Sequence, residues 1–141
     1  MSRRASKSRS KAKEAGYKSG FEHKVAGKLG QKRVEFKYEA ARFKFTQPPK
    51  QRTYKPDFHI KATNVYIETK GKLTLDDRTK LVWVRDQNPD MKLVILFMKS
   101  NNPIRKGSKT TYADWADDND FDWADFDKGI PERWLHAKEE D

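Results

Sequence analysis

Apolar and polar positions follow two rhythms along this chain. Phe21, Val25 and Leu29 recur at i, i+4 and i+8, which is an apolar stripe of helical period. Ser19 followed by Glu22 is a capping box, so the spacing predicts a helix from Ser19 to about Gly30. The period then drops to two. Val34, Phe36 and Tyr38 alternate with Glu35, Lys37 and Glu39, and Phe43 and Phe45 alternate with Arg42 and Lys44. Both runs predict strands with one wet face. Gln47-Pro48-Pro49-Lys50 follows, and two prolines predict a stiff, extended connector rather than a tight hairpin.

Strands are predicted at Tyr54 to Ile60 and at Asn64 to Lys70, with Lys61-Ala62-Thr63 as a hairpin turn between them. Thr74 caps a second helix, with Asp76 and Asp77 in its first turn and a stop at Asn88-Pro89. KLVILFM, residues 92–98, has a continuous apolar centre and predicts a strand buried on both faces. The order β-β-α-β predicts a mixed sheet with helices packed on it. Residues 112–127 hold seven aspartates and no basic residue, interleaved with Trp115, Phe121, Trp123 and Phe126. The aromatics predict docking onto the core, with a solvated acidic face outside. Asp118 to Asp122 begins like a calcium loop, but Trp123 stands where glycine is required and Gly129 where the closing glutamate belongs.

Charge sharpens the picture. The chain of 141 residues carries 31 Lys and Arg against 21 Asp and Glu, formally +10. Residues 1–111 hold 28 basic and 10 acidic residues, a net +18, and residues 112–141 hold 3 and 11, a net −8. The basic excess points to a polyanion partner, because lysine and arginine displace counterions from phosphates. Residues 1–16 read as a disordered basic arm, and residues 17–141 as one domain ending in an acidic, aromatic region at 112–141. Without cysteine, disulfides and thiolate metal sites are excluded. No apolar run approaches the ~20 residues of a membrane span, and the first residues lack the apolar segment of a secretory signal. A soluble protein acting where it is made is expected.

Residues 56–70, PDFHIKATNVYIETK, carry the candidate chemistry. On an extended strand Glu68 and Lys70 share a face, about 7 Å apart at Cα, and Asp57 on the neighbouring strand reaches the same place. Two converging carboxylates suit Mg²⁺, a hard ion that takes oxygen ligands, and the Thr69 backbone carbonyl offers another ligand. A lysine beside them can orient or deprotonate a water, or neutralise an attacked phosphate. These are the parts phosphodiester hydrolysis needs. A polar sheet face is the other reading of the same residues. Glu22 is likewise either a capping residue alone or a third acid aimed into the site.

SGFEHKVAGKL, EFKYE, YKPDF, YIETKGKLTLDDRTK, KLVILFM, KGSKTTYADW and IPERWL together, in this order and spacing, resemble the podophage endonuclease I family of Holliday junction resolvases over about residues 16–135. The resemblance implies an α/β, restriction-endonuclease-like mixed sheet flanked by helices, in a segment-swapped, intertwined homodimer. Phe45 to Thr53 would be the bridging segment. Each site would be composite, with catalytic Glu22 from one chain and Asp57, Glu68 and Lys70 from the other. Asp57, Glu68 and the Thr69 carbonyl would hold the metal, with Glu22 as a further ligand. Mg²⁺ is the implied cofactor, with Mn²⁺ expected to substitute. The implied partner is branched DNA, above all four-way junctions, cut in the cytoplasm of a bacterial host by a phage protein. Arg3, Arg4, Lys7, Arg9, Lys72, Arg78, Lys80, Arg105, Lys106 and Lys109 are candidate backbone contacts. Family members usually carry an extra glutamate on the first strand where this chain has Lys37; Glu35 and Glu39 flank it. The rival readings are a nuclease of the same core that cuts linear duplex, and a basic DNA-binding protein without catalysis.

Overall fold

The structure, a computed structural model, describes residues 15–47 and 50–138. Arg3, Arg4, Lys7 and Arg9, and the pair Pro48-Pro49, lie outside the described residues. The chain divides into two compact units, Met1–Glu35 and Phe36–Asp141.

The first unit holds helix α1, Gly20–Gln31. The Ser19 hydroxyl accepts from the Glu22 backbone N–H at 3.0 Å and donates to its carboxylate at 2.9 Å. Phe21, Val25 and Leu29 are buried, as their spacing predicts. The helix ends in a Schellman motif rather than at a glycine. The Val34 N–H donates to the Leu29 carbonyl and that of Arg33 to Gly30, both at 3.0 Å. Arg33 supplies the left-handed residue, at φ 56°. Val34 is thereby drawn into the helix cap, and the first strand begins later than its alternation suggests.

The second unit is built on a five-stranded sheet of order β1-β4-β5-β6-β7. Its strands are β1 Phe36–Tyr38, β4 Phe58–Ile60, β5 Val65–Lys70, β6 Lys92–Phe97 and β7 Asp122–Asp125. The β1–β4 and β4–β5 pairs are antiparallel, while β5–β6 and β6–β7 are parallel. Helix α2, Leu75–Gln87, makes the crossover from β5 to β6 and starts at the expected Thr74 cap. Every residue of β6 after Lys92 is buried, which suits a strand with parallel neighbours on both sides. The strand predicted from Tyr54 to Ile60 is divided. Pro56 has no N–H to give a ladder, and β4 starts only at Phe58. Asn64 belongs to the β4–β5 turn, at φ 57°, where asparagine tolerates the left-handed conformation.

Two expectations fail. Phe43–Gln47 (β2) and Lys50–Tyr54 (β3) pair antiparallel with Gln47 opposite Lys50, where an extended connector without a partner strand is expected. Tertiary packing outweighs the local signal. Phe45 and Tyr54 are buried in one cluster with Leu73, Leu81 and Val84, and Gln87 donates to the Thr46 carbonyl at 2.8 Å. The acidic tract is not merely a face either. It forms helix α3, Tyr112–Asp118, strand β7, and a 3₁₀ turn at Phe126–Lys128, ahead of the short helix α4, Glu132–Leu135. Its aspartates serve the backbone: Asp114 completes a capping box with Thr111, and Asp125 accepts from the N–H and hydroxyl of Ser100. Among the described residues no helix is long and apolar enough to cross a membrane.

Leu81 is 1% exposed on α2. Leu81→Ala should lower stability by about 2–5 kcal/mol, read as a shift in the urea midpoint with the slope unchanged.

Candidate active site

The second unit brings Asp57, Glu68, Lys70 and Asp77 together around the carboxyl end of β5. Alternation along the strand places Glu68 and Lys70 on one face, with their charged ends 3.9 Å apart. Glu68 is 7% exposed. Burial pushes its carboxyl above the usual range, and Lys70, a hydrogen bond from Tyr54, and Lys80 pull the other way without cancelling it. The Tyr54 hydroxyl donates to Glu68 Oε2 at 2.8 Å. Burial, and then the charge of Glu68, hold that phenol protonated far above its ordinary range.

Lys70 is gripped from its other side. Its ammonium donates to Asp77 at 3.2 Å. Burial alone would favour the neutral amine, but Glu68 and Asp77 outweigh it and hold the lysine charged above its ordinary range. Asp77 is itself fixed by the capping box of α2: it accepts from the Thr74 N–H at 3.0 Å, and its own N–H donates to the Thr74 hydroxyl. Burial pushes the Asp77 carboxyl up, yet the Thr74 N–H and Lys70 bring it below its usual value. The helix cap thus also orients the lysine.

Asp57 stands just before β4. Its Oδ2 accepts from the Thr69 N–H at 2.9 Å and from the Thr69 hydroxyl at 2.8 Å. Its negative charge reaches both Lys70 and Tyr54. A carboxylate oxygen of Glu39 lies within 4.8 Å of one from Asp57, and the Glu39 N–H donates to the Asp57 carbonyl at 2.9 Å. Glu39 adopts φ 50°, a left-handed conformation that costs about 1–2 kcal/mol for a residue with a Cβ. Of the three residues flagged on the first strand, Glu39 is thus the one brought to Asp57; Lys37 and Glu35 are exposed. The donor set is all oxygen and anionic, with one partly desolvated carboxylate, which fits a hard divalent cation.

Glu22 lies in the first unit, buried in the first turn of α1. Lys72, Lys80, Arg105, Lys106 and Lys109 are exposed, whereas Arg78 is half-buried and donates to the Ile104 carbonyl at 3.0 Å. An open groove of about 700 Å³ runs between the β2–β3 hairpin and α2, lined by Arg52, Leu75, Lys80 and Trp83 among others. Lys80 also stands 5.4 Å from the centre of the Tyr54 ring, so this groove adjoins the site. Tyr54 and Asp77 carry no signal of their own in the sequence as partners of Glu68 and Lys70. Only the Thr74-x-x-Asp77 spacing hints at one of them.

An α/β unit with acids and a lysine at the carboxyl end of a sheet strand carries groups of the kind that metal-assisted phosphodiester hydrolysis uses. The family model described as phage endonuclease I matches residues 1–141. Endonuclease I of Escherichia phage T7 is 34% identical over 123 residues, 87% of this chain and 80% of that protein. Endodeoxyribonuclease 1 of Enterobacteria phage T3 is 35% identical over 109 residues, 77% of this chain and 71% of that protein. The chain belongs to the phage endonuclease I family and is a nuclease.

A carboxyl raised by folding binds its proton more tightly in the native than in the unfolded chain. Its contribution to stability is therefore greatest in acid and declines as pH rises from the ordinary carboxylate range through the raised value. Without added metal, wild type should lose stability relative to Glu68→Gln across that rise, measured by thermal melts of both at each pH. A difference that instead grows in favour of wild type would mean that Lys70 and Tyr54 overcome the burial.

Proposed function

We propose that this chain is a structure-selective DNA endonuclease that resolves four-way junctions and other branched DNA by divalent-cation-dependent hydrolysis of phosphodiesters. The observation that carries this reading is the Asp57, Glu68 and Lys70 group at the end of β5, in a chain of the phage endonuclease I family. Asp57 and Glu68 would hold Mg²⁺, or Mn²⁺ in its place, with the Thr69 carbonyl and Glu22 as further ligands and Glu39 beside Asp57. The bound cation supplies Lewis acidity and an acidified water.

The chain's own residues do the rest. Asp57 is held by two donors from Thr69, which fixes its carboxylate before substrate arrives. Lys70, kept charged by Glu68 and Asp77, is suited to neutralising the attacked phosphate and orienting the water rather than to accepting its proton. Backbone contacts from Lys72, Lys80, Arg105, Lys106, Lys109 and the basic arm, where Arg3, Arg4, Lys7 and Arg9 lie, would position the DNA without reading its sequence. Arg78 fits that role less well, since its guanidinium already holds the 99–111 loop.

The active form we infer is an intertwined homodimer. Pairing of β2 with β3 made between two chains preserves the ladder and the burial of Phe45 and Tyr54. Prolines cannot take the positive φ that the favoured two-residue hairpin turns require, so residues 45–53 suit a bridge crossing between protomers. Composite sites would then unite Glu22 of one chain with Asp57, Glu68 and Lys70 of the other.

A labelled immobile four-way junction, beside linear duplex of the same sequence, should receive paired nicks in opposed arms with Mg²⁺ and none in EDTA. Cutting of linear duplex at an equal rate would favour a general nuclease. Glu68→Gln should slow cleavage about 10³-fold, equivalent to several kcal/mol of lost charge stabilisation, while junction binding persists. Tight binding without cutting in any divalent metal would leave only a DNA-binding protein. Composite sites have their own signature: Glu22→Gln and Asp57→Asn chains, inactive separately, should regain single-strand nicking when co-expressed. Sites confined to one chain would stay inactive in the same mixture.

A further inference from the structure

Tyr54 has no part in the chemistry outlined above, yet its hydroxyl is spent on Glu68. Its ring is 2% exposed and belongs to the same buried cluster as Phe45, Leu73 and Leu81. Phenylalanine would fill that space without the cost of burying a hydroxyl, so packing does not explain the oxygen. The hydroxyl instead pairs one oxygen of a buried carboxylate whose other oxygen lies 3.9 Å from Lys70.

The geometry gives the hydroxyl a different use. A carboxylate rotates freely about its last bond unless one oxygen is tied. Tyr54 ties Oε2 at 2.8 Å, and Oε1 is the oxygen nearest Lys70, at 3.9 Å. The donor is rigid, since its ring is enclosed by core side chains with the Lys80 ammonium 5.4 Å from its centre.

We propose that Tyr54 is a positioning residue for divalent-cation binding, whose hydroxyl fixes the rotation of the Glu68 carboxylate so that its second oxygen is presented to the cation. This rests on the reading of Glu68 as a cation ligand. Tyr54 closes β3, the strand that leaves the bridging segment, so the same side chain joins the bridge to the ligand.

The test is Mn²⁺ binding by calorimetry to the full-length protein without DNA, for wild type, Tyr54→Phe and Val84→Ala. Val84 is wholly buried in the same cluster, and its truncation controls for lost stability alone. Partners that orient a metal ligand typically contribute 10–100-fold, so Tyr54→Phe should weaken Mn²⁺ binding by about that factor. The Mn²⁺ needed for half-maximal junction cleavage should rise equally, with most of the rate recovered at saturation and junction affinity in EDTA unchanged. Val84→Ala should melt earlier and bind Mn²⁺ as wild type does. An Mn²⁺ affinity for Tyr54→Phe equal to that of wild type, or an equal loss in Val84→Ala, overturns the proposal. Should Tyr54→Phe fail to fold, 3-fluorotyrosine placed at position 54 keeps the hydroxyl, and its fluorine resonance should shift as Mg²⁺ is added. A resonance unmoved at saturation overturns the proposal as well. Wild type that binds no Mn²⁺ overturns the cation reading and this inference with it.

Discussion

A buried carboxylate is the constraint around which the second unit is organised. Glu68 sits at the end of a sheet strand with almost no exposure, and a charge there is costly unless it is paired and hydrogen-bonded. The answer is a chain of dependences. Tyr54 supplies a hydrogen bond from the hairpin, and Lys70 supplies the opposite charge from the same strand. Lys70 needs a second anion to keep it in place, and Asp77 provides it. Asp77 is oriented by the capping box of α2. A strand, a hairpin and a helix start are thereby committed to a single acid.

Sheet topology explains where this happens. The chain changes from antiparallel to parallel pairing at β5, with β4 on one side and β6 on the other. Crossover connections leave the carboxyl ends of parallel strands open, which is where α/β proteins place their ligands. Asp57 enters from the antiparallel side, through its bonds to Thr69. The lysine and its helix belong to the parallel side. The acidic C-terminal region stands apart from this chemistry. Asp122 accepts from the Arg133 guanidinium and from the Trp134 indole N–H at 2.7 Å, and Asp125 anchors Ser100, so several of those acids fasten α4 and the loops to the sheet.

What was legible in the sequence was local. Thr74 and Asn88-Pro89 delimit α2 because caps and prolines act on their immediate neighbours. The run KLVILFM marks a strand because continuous burial leaves no polar face. Asp57, Glu68 and Lys70 stood out because residue type and strand period sufficed to group them. The β2–β3 pairing was hidden because Pro48-Pro49 reads as a connector, while the pairing depends on burying Phe45 and Tyr54 against distant residues. Asn64 was read as part of a strand, whereas its left-handed backbone serves a turn, and nothing in the pattern marked Arg33 as the left-handed residue that ends α1. Helix α3 and β7 were masked by composition, although Thr111-x-x-Asp114 is a capping box in plain view. Tyr54 and Asp77 were missed because their relation to Glu68 and Lys70 exists only once strands and helix have met.

The central strand has a consequence beyond the native state. Between Lys92 and Lys99 the chain offers six consecutive apolar residues, Leu93 to Met98, without a charge, a proline or a glycine. Such a window is prone to stack with copies of itself whenever it is exposed. It cannot be sheltered early, because parallel partners on both sides come from segments separated by helices, and such pairings close late in folding. The flanking lysines act as gatekeepers that set a like charge at each end of any intermolecular stack. The nascent chain therefore carries its own protection against self-association during the interval before β5 and β7 close over β6.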